Sequence, residues 1–157
     1  MATDQPSADV ELRFDDLLCF SLYAGNLAMS RVYQPVLKAL QLTYPQYLVM
    51  LALWLKDGQL VGDIGRQLQL ESNTLSPMLK RLQTLGYIEK RRGDQDERQV
   101  AIHLTQAGDD LRRKAECIPE QIISATGMTI PELKDLIAKL GVLRANLQAH
   151  LSAESDD

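Results

Sequence analysis

The chain has 157 residues, of which 45% are hydrophobic, and a formal net charge of −4 at pH 7. This length and composition predict one domain that spans residues 1–157. The longest apolar run, Tyr47–Leu55, is far too short to span a bilayer, and nothing resembles a signal peptide. We therefore expect a cytoplasmic protein with no membrane contact.

Most of the negative charge lies at the two ends of the chain. Residues 1–16 carry a net charge of −4 and residues 154–157 carry −3, which leaves +3 on all the others. An acidic chain is not typical of a nucleic-acid-binding protein. A positive field that is confined to one region still attracts a polyanion, so we expect the acidic ends to lie away from any nucleic acid.

The first two predicted helices are strongly apolar. A long amphipathic segment runs from Phe14 to Tyr33, and Pro35 is expected to kink or end it. A second helix begins after Thr43, because Thr43 and Gln46 have the spacing of a capping box, and continues through Trp54.

Two helices joined by a turn follow. A short amphipathic helix, Val61–Leu68, leads through the turn Gln69–Glu71 into a helix of about fourteen residues. Ser72 is the expected N-cap of this second helix, and Gly86 suits its C′ position. One face is an apolar stripe formed by Leu75, Met78, Leu79, Leu82 and Leu85. The opposite face is polar and cationic and holds Thr74, Ser76, Pro77, Lys80, Arg81 and Gln83.

A basic hairpin comes next in the chain. Two β-prone runs, Tyr87–Arg92 and Gln99–Leu104, flank the turn-forming residues 93–97. Basic side chains stand on both sides of this turn: Lys90, Arg91, Arg92 and Arg98. A charge run is usually a solvated surface, but the order helix, turn, helix, basic hairpin is one that proteins insert into DNA grooves.

Two more helices complete the predicted elements. Thr105 caps a helix that runs towards Ser124, and Thr129 with Glu132 frames a last helix. The last helix has an apolar stripe formed by Leu133, Leu136, Ile137, Leu140, Leu143, Leu147 and Leu151. Apolar first and last helices predict an obligate interface, and a two-fold homodimer would place two reading helices about one DNA turn apart.

The predicted fold is mainly α-helical with a small β-wing. Approximately residues 43–105 form a winged helix-turn-helix DNA-binding unit, and the N- and C-terminal helices, about 12–42 and 106–151, form a helical dimerisation region. Hydroxyl groups are predicted to meet base edges or phosphates, and cations to neutralise phosphates. The predicted DNA contacts are Ser72, Thr74, Ser76, Lys80 and Arg81 from the helix and Arg91 and Arg98 from the hairpin.

Cys19 and Cys117 are the two cysteines of the chain. A cysteine on an apolar helix is most often a small buried hydrophobe. The spacing of the cysteines from His103 and His150 does not indicate a metal site, and we expect neither a metal nor a cofactor. The carboxylates at positions 15–16 oppose a thiolate at Cys19, so a reactive Cys19 needs hydrogen-bond donors from elsewhere.

Four separate segments carry a resemblance to a known family. Asp96-Glu97-Arg98, followed by Val100, Ile102, Leu104, Thr105 and Gly108, resembles the wing signature of the MarR-type winged-helix regulators. Residues 18–24 with Tyr33, residues 42–48 and residues 74–81 resemble more narrowly the OhrR repressors, the branch that responds to organic hydroperoxides. The resemblance covers about residues 12–150.

This resemblance implies a redox-sensing repressor that binds double-stranded operator DNA as a homodimer. Cys19 would be the peroxidatic thiol, and the hydroxyl groups of Tyr33 and Tyr44 would hold its thiolate. Tyr33 lies fourteen positions after Cys19, which corresponds to roughly 21 Å of rise along a helix. If the two meet, Tyr33 comes from the other subunit. An organic hydroperoxide is then the inducer, and oxidation of Cys19 would end repression.

The family pattern departs from this sequence at the resolving cysteine. Where family members resolve the sulfenic acid by an intersubunit disulfide, an ungapped alignment places the second cysteine near Ser124, which cannot form that bond. Three alternatives stay open. Cys117 resolves Cys19 from a displaced position, a small thiol resolves it, or Ser124 is an engineered replacement.

Three other functions also stay open. A MarR-type regulator could bind a small aromatic ligand without covalent chemistry, with Cys19 inert. A thiol peroxidase that turns over would leave the groove-reading unit without a role. A winged-helix interaction module that never binds DNA is disfavoured by the five cations Lys80, Arg81, Arg91, Arg92 and Arg98.

Overall fold

The structure of the protein is a computed structural model that describes residues 13–92 and 99–154. Its helices are α1 (Leu18–Ala39), α2 (Tyr44–Leu55), α3 (Val61–Leu68), α4 (Ser72–Thr84), α5 (Gln106–Ala115), α6 (Ile118–Thr126) and α7 (Ile130–Glu154). Its strands are β1 (Gln59–Leu60), β2 (Ile88–Arg92) and β3 (Val100–Leu104), and a 3-10 turn, Phe14–Asp16, precedes α1. The predicted mainly α-helical fold with a small β-wing is confirmed.

The described residues fall into two compact units. The first ends at Lys114 and contains α1 to α4, the sheet and nearly all of α5, and the second begins at Ala115 and contains α6 and α7. The single domain predicted for 1–157, and its division into a DNA-binding unit and a dimerisation region, stay predictions.

Helix α1 differs from the prediction at both ends. It begins at Leu18, after the separate 3-10 turn, rather than at Phe14. It also continues past Pro35 to Ala39, although proline removes one helical hydrogen bond. Beyond Pro35 the helix buries Leu37, which is 4% exposed, and this packing offsets the missing bond.

Helix α2 forms the centre of the first unit. The predicted capping box is present, since Thr43 Oγ1 accepts from the Gln46 backbone N–H and the Gln46 side chain accepts from the Thr43 backbone N–H. The helix contacts α1, α3, α4 and β3. Six of its twelve residues are buried: Tyr47, Val49, Met50, Ala52, Leu53 and Trp54.

Helix α4 has the predicted apolar stripe and one shifted end. Three stripe residues, Leu75, Leu79 and Leu82, are at most 1% exposed. Ser72 is the first helical residue and not the N-cap, because the extended Glu71 carbonyl already accepts from the Leu75 backbone N–H. The helix ends at Thr84, and Gly86 follows with a φ of +77°, as predicted for a C′ glycine.

The three strands form one antiparallel sheet in the order β1-β3-β2. The hairpin strands were predicted, whereas the short strand β1, which pairs with β3, was not. Gly108, in the first turn of α5, packs against the start of the hairpin, where a Cβ atom would overlap the Tyr87 carbonyl oxygen. Its own carbonyl accepts from Trp54 Nε1 at 2.9 Å, which ties α5 to α2.

The helix predicted from Thr105 towards Ser124 is divided into α5 and α6. Thr105 does cap α5, since its hydroxyl accepts from the Gly108 backbone N–H at 3.1 Å. The break follows from Pro119, which has no N–H for the Ala115 carbonyl. In the second unit, Thr129 and Glu132 bond each other across the first turn of α7, as predicted.

Candidate functional site

Cys19 is the second residue of α1. Its thiol is exposed and free. At this position it lies in the first helical turn, whose backbone N–H groups have no partners within the helix. The helix predicted from Phe14 placed Cys19 in its second turn, whereas the structure places it in the first turn of α1.

Three tyrosines form an aromatic cluster where α1 meets α2. The Tyr33 ring lies 4.8 Å from the Tyr44 ring and 6.1 Å from the Tyr47 ring, measured between centroids. Tyr47 also contacts Trp54, at 6.2 Å and nearly edge-on. The structure therefore brings together the two predicted sensor tyrosines, Tyr33 and Tyr44, and connects them to the core of the first unit.

Tyr33 is a phenol that stays protonated. Burial, with smaller contributions from Tyr44 and Tyr47, raises the pKa of Tyr33 to about 12. Among the described residues, the Tyr33 and Tyr44 hydroxyl groups donate to no other protein group. Tyr44 is 41% exposed. The cluster thus offers two hydrogen-bond donors that the described part of the chain does not use.

Cys19 and Tyr33 do not meet within one chain. They lie fourteen residues apart on the same continuous helix, which separates their backbones by roughly 21 Å. Between them, α1 exposes apolar side chains that include Phe20, Leu22 and Val32, each 37–40% exposed. An exposed apolar helix of this kind is typical of a surface that another molecule covers.

The polar face of α4 is exposed along its length. All of the helical residues that we predicted to contact DNA are on this surface: Ser72, Thr74, Ser76, Lys80 and Arg81. The opposite face is the buried stripe, so the core fixes the orientation of these side chains. Helix α4 could enter a DNA major groove with its polar face towards the base edges.

The sheet separates the basic residues of β2 onto two faces. Arg91 lies on the same face as Glu89, and its guanidinium Nε donates to the Glu89 carboxylate at 2.8 Å, with a second bond to the same oxygen from a terminal nitrogen. The predicted contact Arg91 is therefore already ion-paired. Arg98, the other predicted hairpin contact, lies outside the described residues.

Lys90 and Arg92 lie on the opposite face of β2, which is the face of the buried Ile88. They line a cleft of about 760 Å³ together with Arg66 of α3 and Ser76 of α4. The sequence predicts that all four hairpin cations face a phosphate backbone or a minor groove, but only Arg91 and Arg98 are singled out as contacts, although strand alternation separates positions 88, 90 and 92 from 89 and 91. Arg66 was not considered at all.

A second cleft, of about 680 Å³, lies on the first unit and reaches both α2 and α4. Tyr44 of the aromatic cluster and Arg81 of α4 both line it, together with Lys38, Gln41 and other polar residues. Close to it, the Tyr87 hydroxyl donates to the Leu40 carbonyl in the α1–α2 turn at 3.4 Å. A predicted sensor residue and a predicted DNA contact therefore share one surface.

The second unit carries the other cysteine and the last helix. Cys117 is the exposed N-cap residue of α6, and Ser124 lies on the exposed surface of the same helix. Helix α7 has no buried residue, and several of its predicted stripe residues are exposed: Leu136, Ile137, Leu140, Leu147 and Leu151.

None of the helices in the described residues combines the length and the apolar character that a membrane span requires.

A helix-turn-helix followed by a two-stranded wing defines a winged-helix protein. Residues 31–115, more than half of the chain, match the family described as Transcriptional regulator SarA/Rot. The chain is 43% identical over 145 residues to the HTH-type transcriptional regulator TtmR of Methylorubrum extorquens, covering 92% of this chain and 74% of TtmR. It is 41% identical over 136 residues to the organic hydroperoxide resistance transcriptional regulator of Bacillus subtilis, covering 87% of this chain and 92% of that protein.

Solved structures agree with these relatives. The crystal structure of AbfR of Staphylococcus epidermidis matches with 36% identity and a TM-score of 0.71, covering 88% of this chain and 96% of AbfR. AbfR is also described in a reduced form bound to DNA and in a disulfide form. The chain belongs to the MarR-type winged-helix transcriptional regulators and is a regulator rather than an enzyme. The predicted family is confirmed.

Proposed function

We propose that the protein is a redox-sensing repressor. As a homodimer it binds operator DNA while Cys19 is reduced, and it releases the DNA when an organic hydroperoxide oxidises Cys19. The relative from Bacillus subtilis, named for organic hydroperoxide resistance, supports the inducer. The reduced, DNA-bound form of AbfR supports DNA as the partner of the reduced state.

The observation that carries this proposal is the arrangement of Cys19, Tyr33 and Tyr44. The tilted rings of Tyr33 and Tyr44 are in contact where the C-terminal part of α1 meets α2, with hydroxyl donors that the described residues do not use. The thiol lies near the N-terminal end of α1. A second copy of the chain, packed on the exposed apolar faces of α1 and α7, would bring the Cys19 of one protomer to the tyrosines of its partner. The sensing site is then complete only in the homodimer.

The chemical step is a two-electron oxidation of sulfur. The Cys19 thiolate attacks the terminal oxygen of the hydroperoxide, a sulfur–oxygen bond forms as the oxygen–oxygen bond breaks, and an alkoxide leaves. The alkoxide takes a proton from water. One thiol and one hydroperoxide thus give one sulfenic acid and one alcohol. In the proposed dimer the tyrosine hydroxyls of the partner donate to the thiolate before the attack.

Oxidation reaches the DNA-binding surface through α2. Tyr44 lies in the first turn of α2, and α2 contacts both α3 and α4. When the sulfenic acid replaces the thiolate, the tyrosine hydrogen bonds change and α2 shifts against its neighbours. Because packed interfaces have discrete arrangements, the two copies of α4 lose the spacing of one DNA turn.

For DNA contact we propose the exposed residues of α4 and two residues of the hairpin. From α4 these are Ser72, Thr74, Ser76, Lys80 and Arg81. Arg91 retains guanidinium N–H groups that Glu89 does not use, because arginine has five such donors. Arg98 lies outside the described residues, and it is included on the basis of the sequence.

A DNA-binding titration tests the proposal. The reduced protein and its Cys19→Ser variant are each treated with an alkyl hydroperoxide in the presence of a DNA fragment from upstream of the gene that encodes the protein. The wild type should release the DNA at about one equivalent of peroxide per Cys19, while Cys19→Ser should remain bound. Unchanged DNA affinity of the oxidised wild type would contradict the proposal.

The fate of the sulfenic acid is tested separately. A thiol converts it to a disulfide with loss of water, and Cys117 or a small thiol can supply that sulfur. Mass spectrometry under non-reducing conditions should show a linked dimer if Cys117 resolves Cys19. A monomer carrying a small-thiol adduct, unchanged in the Cys117→Ser variant, would exclude that role.

A second candidate function has its own supporting observation. The cleft shared by Tyr44 and Arg81, at about 680 Å³, has the size of a small-molecule site. A regulator that binds a small aromatic ligand there without covalent chemistry would respond in the absence of the thiol. Release of DNA by the Cys19→Ser variant when an aromatic ligand is added would favour this function.

A further inference from the structure

Trp54 connects the tyrosine cluster to the C-terminal end of α2. It is the only tryptophan of the chain, and its side chain is buried. The Trp54 ring lies 6.2 Å from the Tyr47 ring. The Tyr47 ring in turn lies 6.1 Å from Tyr33 and 6.5 Å from Tyr44. A continuous row of rings therefore runs along α2 from the two predicted sensor tyrosines to Trp54.

The indole of Trp54 extends this row to α5. Its N–H donates to the carbonyl of Gly108, in the first turn of α5, at 2.9 Å. The bond is buried and joins residues fifty-four positions apart in the sequence. A buried N–H that loses its acceptor incurs the full cost of its desolvation. Trp54 and the start of α5 therefore move together, or the bond between them breaks.

Thr105 continues the connection from α5 to α4. Its hydroxyl accepts from the Gly108 backbone N–H at 3.1 Å and donates to the Gly86 carbonyl. Its backbone N–H donates to the Tyr87 carbonyl at 3.1 Å. Gly86 is the C′ residue of α4, and the Tyr87 N–H closes the last turn of α4 by donating to the Leu82 carbonyl at 3.1 Å. The start of α5 thus holds the C-terminal end of α4.

The contact between α5 and the start of the hairpin leaves no room for sliding. A Cβ atom at Gly108 would overlap the Tyr87 carbonyl oxygen, so the two backbones are in direct contact. Closely packed groups of this kind transmit a displacement rather than absorb it. A shift of Gly108 must therefore be followed by Tyr87 and by the end of α4.

We propose that Trp54 transmits the oxidation of Cys19 to α4 through its indole N–H, as a positioning residue. In the reduced protein, the indole holds the start of α5, and Thr105 holds the end of α4 in the arrangement that binds DNA. When the hydrogen bonds of Tyr33 and Tyr44 change, the row of rings shifts and the bond to Gly108 breaks. The inference rests on the proposed function and assigns it a route from the sensing site to the DNA-binding helix.

The emission of Trp54 reports on this route in the unaltered protein. Because the chain has a single tryptophan, selective excitation follows only this indole. An alkyl hydroperoxide is added in steps to the protein without DNA, and mass spectrometry of the same samples gives the oxidised fraction of Cys19. The emission should change in proportion to that fraction, since the surroundings of the indole change. It should stay constant in Cys19→Ser.

Substitutions test whether Trp54 transmits the change or only senses it. Trp54→Phe keeps an aromatic ring and removes the N–H, and Thr105→Val removes the hydroxyl at nearly constant shape. Fluorescence anisotropy measures the affinity of each variant, reduced and oxidised, for a DNA fragment from upstream of the gene that encodes the protein. The ratio of reduced to oxidised affinity should fall by about two- to tenfold in each variant. The double variant should lose no more than the larger single loss, because both bonds belong to one route.

Two further variants are controls. Thr105→Ser keeps the hydroxyl and should retain the wild-type ratio. Ile64→Val truncates a completely buried residue of α3 that forms none of these bonds, so it should alter both affinities alike and leave their ratio unchanged. Circular dichroism checks that each variant folds. If Trp54→Phe does not fold, Thr105→Val and the emission of the wild type decide.

The outcomes separate this inference from the function on which it rests. A wild type that keeps its DNA when Cys19 is fully oxidised would overturn both. A wild type that releases DNA while the emission of Trp54 stays constant would overturn the route alone. A wild-type ratio in the folded Trp54→Phe variant, additive losses in the double variant, or an equal loss in Ile64→Val would do the same.

Discussion

The Tyr33 and Tyr44 rings lie 4.8 Å apart although they belong to different helices. This contact joins the C-terminal part of α1 to the first turn of α2. It brings two phenol rings together, and burial keeps the Tyr33 hydroxyl protonated by raising its pKa to about 12. Under the proposed function these are the donors that hold the partner's thiolate.

Removal of these hydroxyls should slow the oxidation of Cys19. A hydrogen bond to a charged group contributes about 1.5–3 kcal/mol, so Tyr33→Phe and Tyr44→Phe should each slow the reaction with an alkyl hydroperoxide by roughly ten- to hundredfold. Stopped-flow kinetics with mass detection of the sulfenic acid measures the rate. Tyr23→Phe, an exposed tyrosine on α1 outside the cluster, is the matched control and should react at the wild-type rate.

Mixed dimers show which protomer supplies the tyrosine. Tyr33→Phe protein is mixed with Cys19→Ser protein, and the subunits are allowed to exchange. Each heterodimer then contains one intact site only if Cys19 of one protomer is held by Tyr33 of its partner. The Cys19 of the Tyr33→Phe chain should then recover the wild-type rate of oxidation. No recovery after exchange would show that the tyrosine acts within its own chain or not at all.

Tyr33 should also make the fold sensitive to alkali. Burial raises its pKa from 10.0 to about 12, so the folded state holds the proton more tightly than the unfolded chain does. The stabilising contribution is complete below pH 10.0 and is lost as pH rises through about 12. Urea denaturation at fixed protein concentration should show a decline in this window that is smaller in Tyr33→Phe. An equal decline in both proteins would contradict the assignment, and Tyr23→Phe serves as control.

The Tyr87 hydroxyl should couple the α1–α2 turn to the DNA-binding surface. Tyr87 directly follows α4 and its C′ glycine, Gly86. Its hydroxyl donates to the carbonyl of Leu40, which lies forty-seven residues earlier in the sequence. Tyr87→Phe should leave the rate of Cys19 oxidation unchanged, because the residue is outside the tyrosine cluster. It should raise the DNA affinity that remains after oxidation, up to about tenfold for one neutral hydrogen bond. An oxidised variant with the residual affinity of the wild type would exclude this role.

The two faces of α4 should respond differently to truncation. Leu82 is completely buried, so Leu82→Ala should lower the free energy of unfolding by about 2–5 kcal/mol. Lys80→Ala on the exposed face should change it by less than about 0.5 kcal/mol and weaken DNA binding instead. Chemical denaturation measures the free energy of unfolding of both variants, and fluorescence anisotropy measures their affinity for DNA. Equal effects on stability would mean that the stripe is not the packed face.

Local signals in the sequence predicted much of this fold. The Thr43–Gln46 box, the Thr129–Glu132 pair and the C′ glycine at position 86 each depend on neighbours within four residues, and each is present. Pro35 was expected to kink or end α1, but the local cost of proline is offset by the burial of Leu37, which is a tertiary effect. Strand β1 has only two residues and no alternating pattern to reveal it.

The candidate sites were predictable in part. Cys19, Tyr33 and Tyr44 were found through the family resemblance, because no spacing rule connects residues that meet only through folding or assembly. The contact between the two tyrosine rings required the packing of α1 on α2. The alternation of β2 was readable from sequence, but the helix-facing side became known only from the burial of Ile88 and Ile102.

Under the proposed function, one oxygen atom added to Cys19 is enough to release the DNA. The most direct measurement adds an alkyl hydroperoxide in steps to the DNA-bound protein and records, on the same samples, the fraction of Cys19 that carries the oxygen and the fraction of DNA released. We predict that the two fractions rise together and that both stay at zero in Cys19→Ser. DNA that stays bound when Cys19 is fully oxidised, or that leaves the Cys19→Ser variant equally well, would show that oxidation of Cys19 does not control DNA binding.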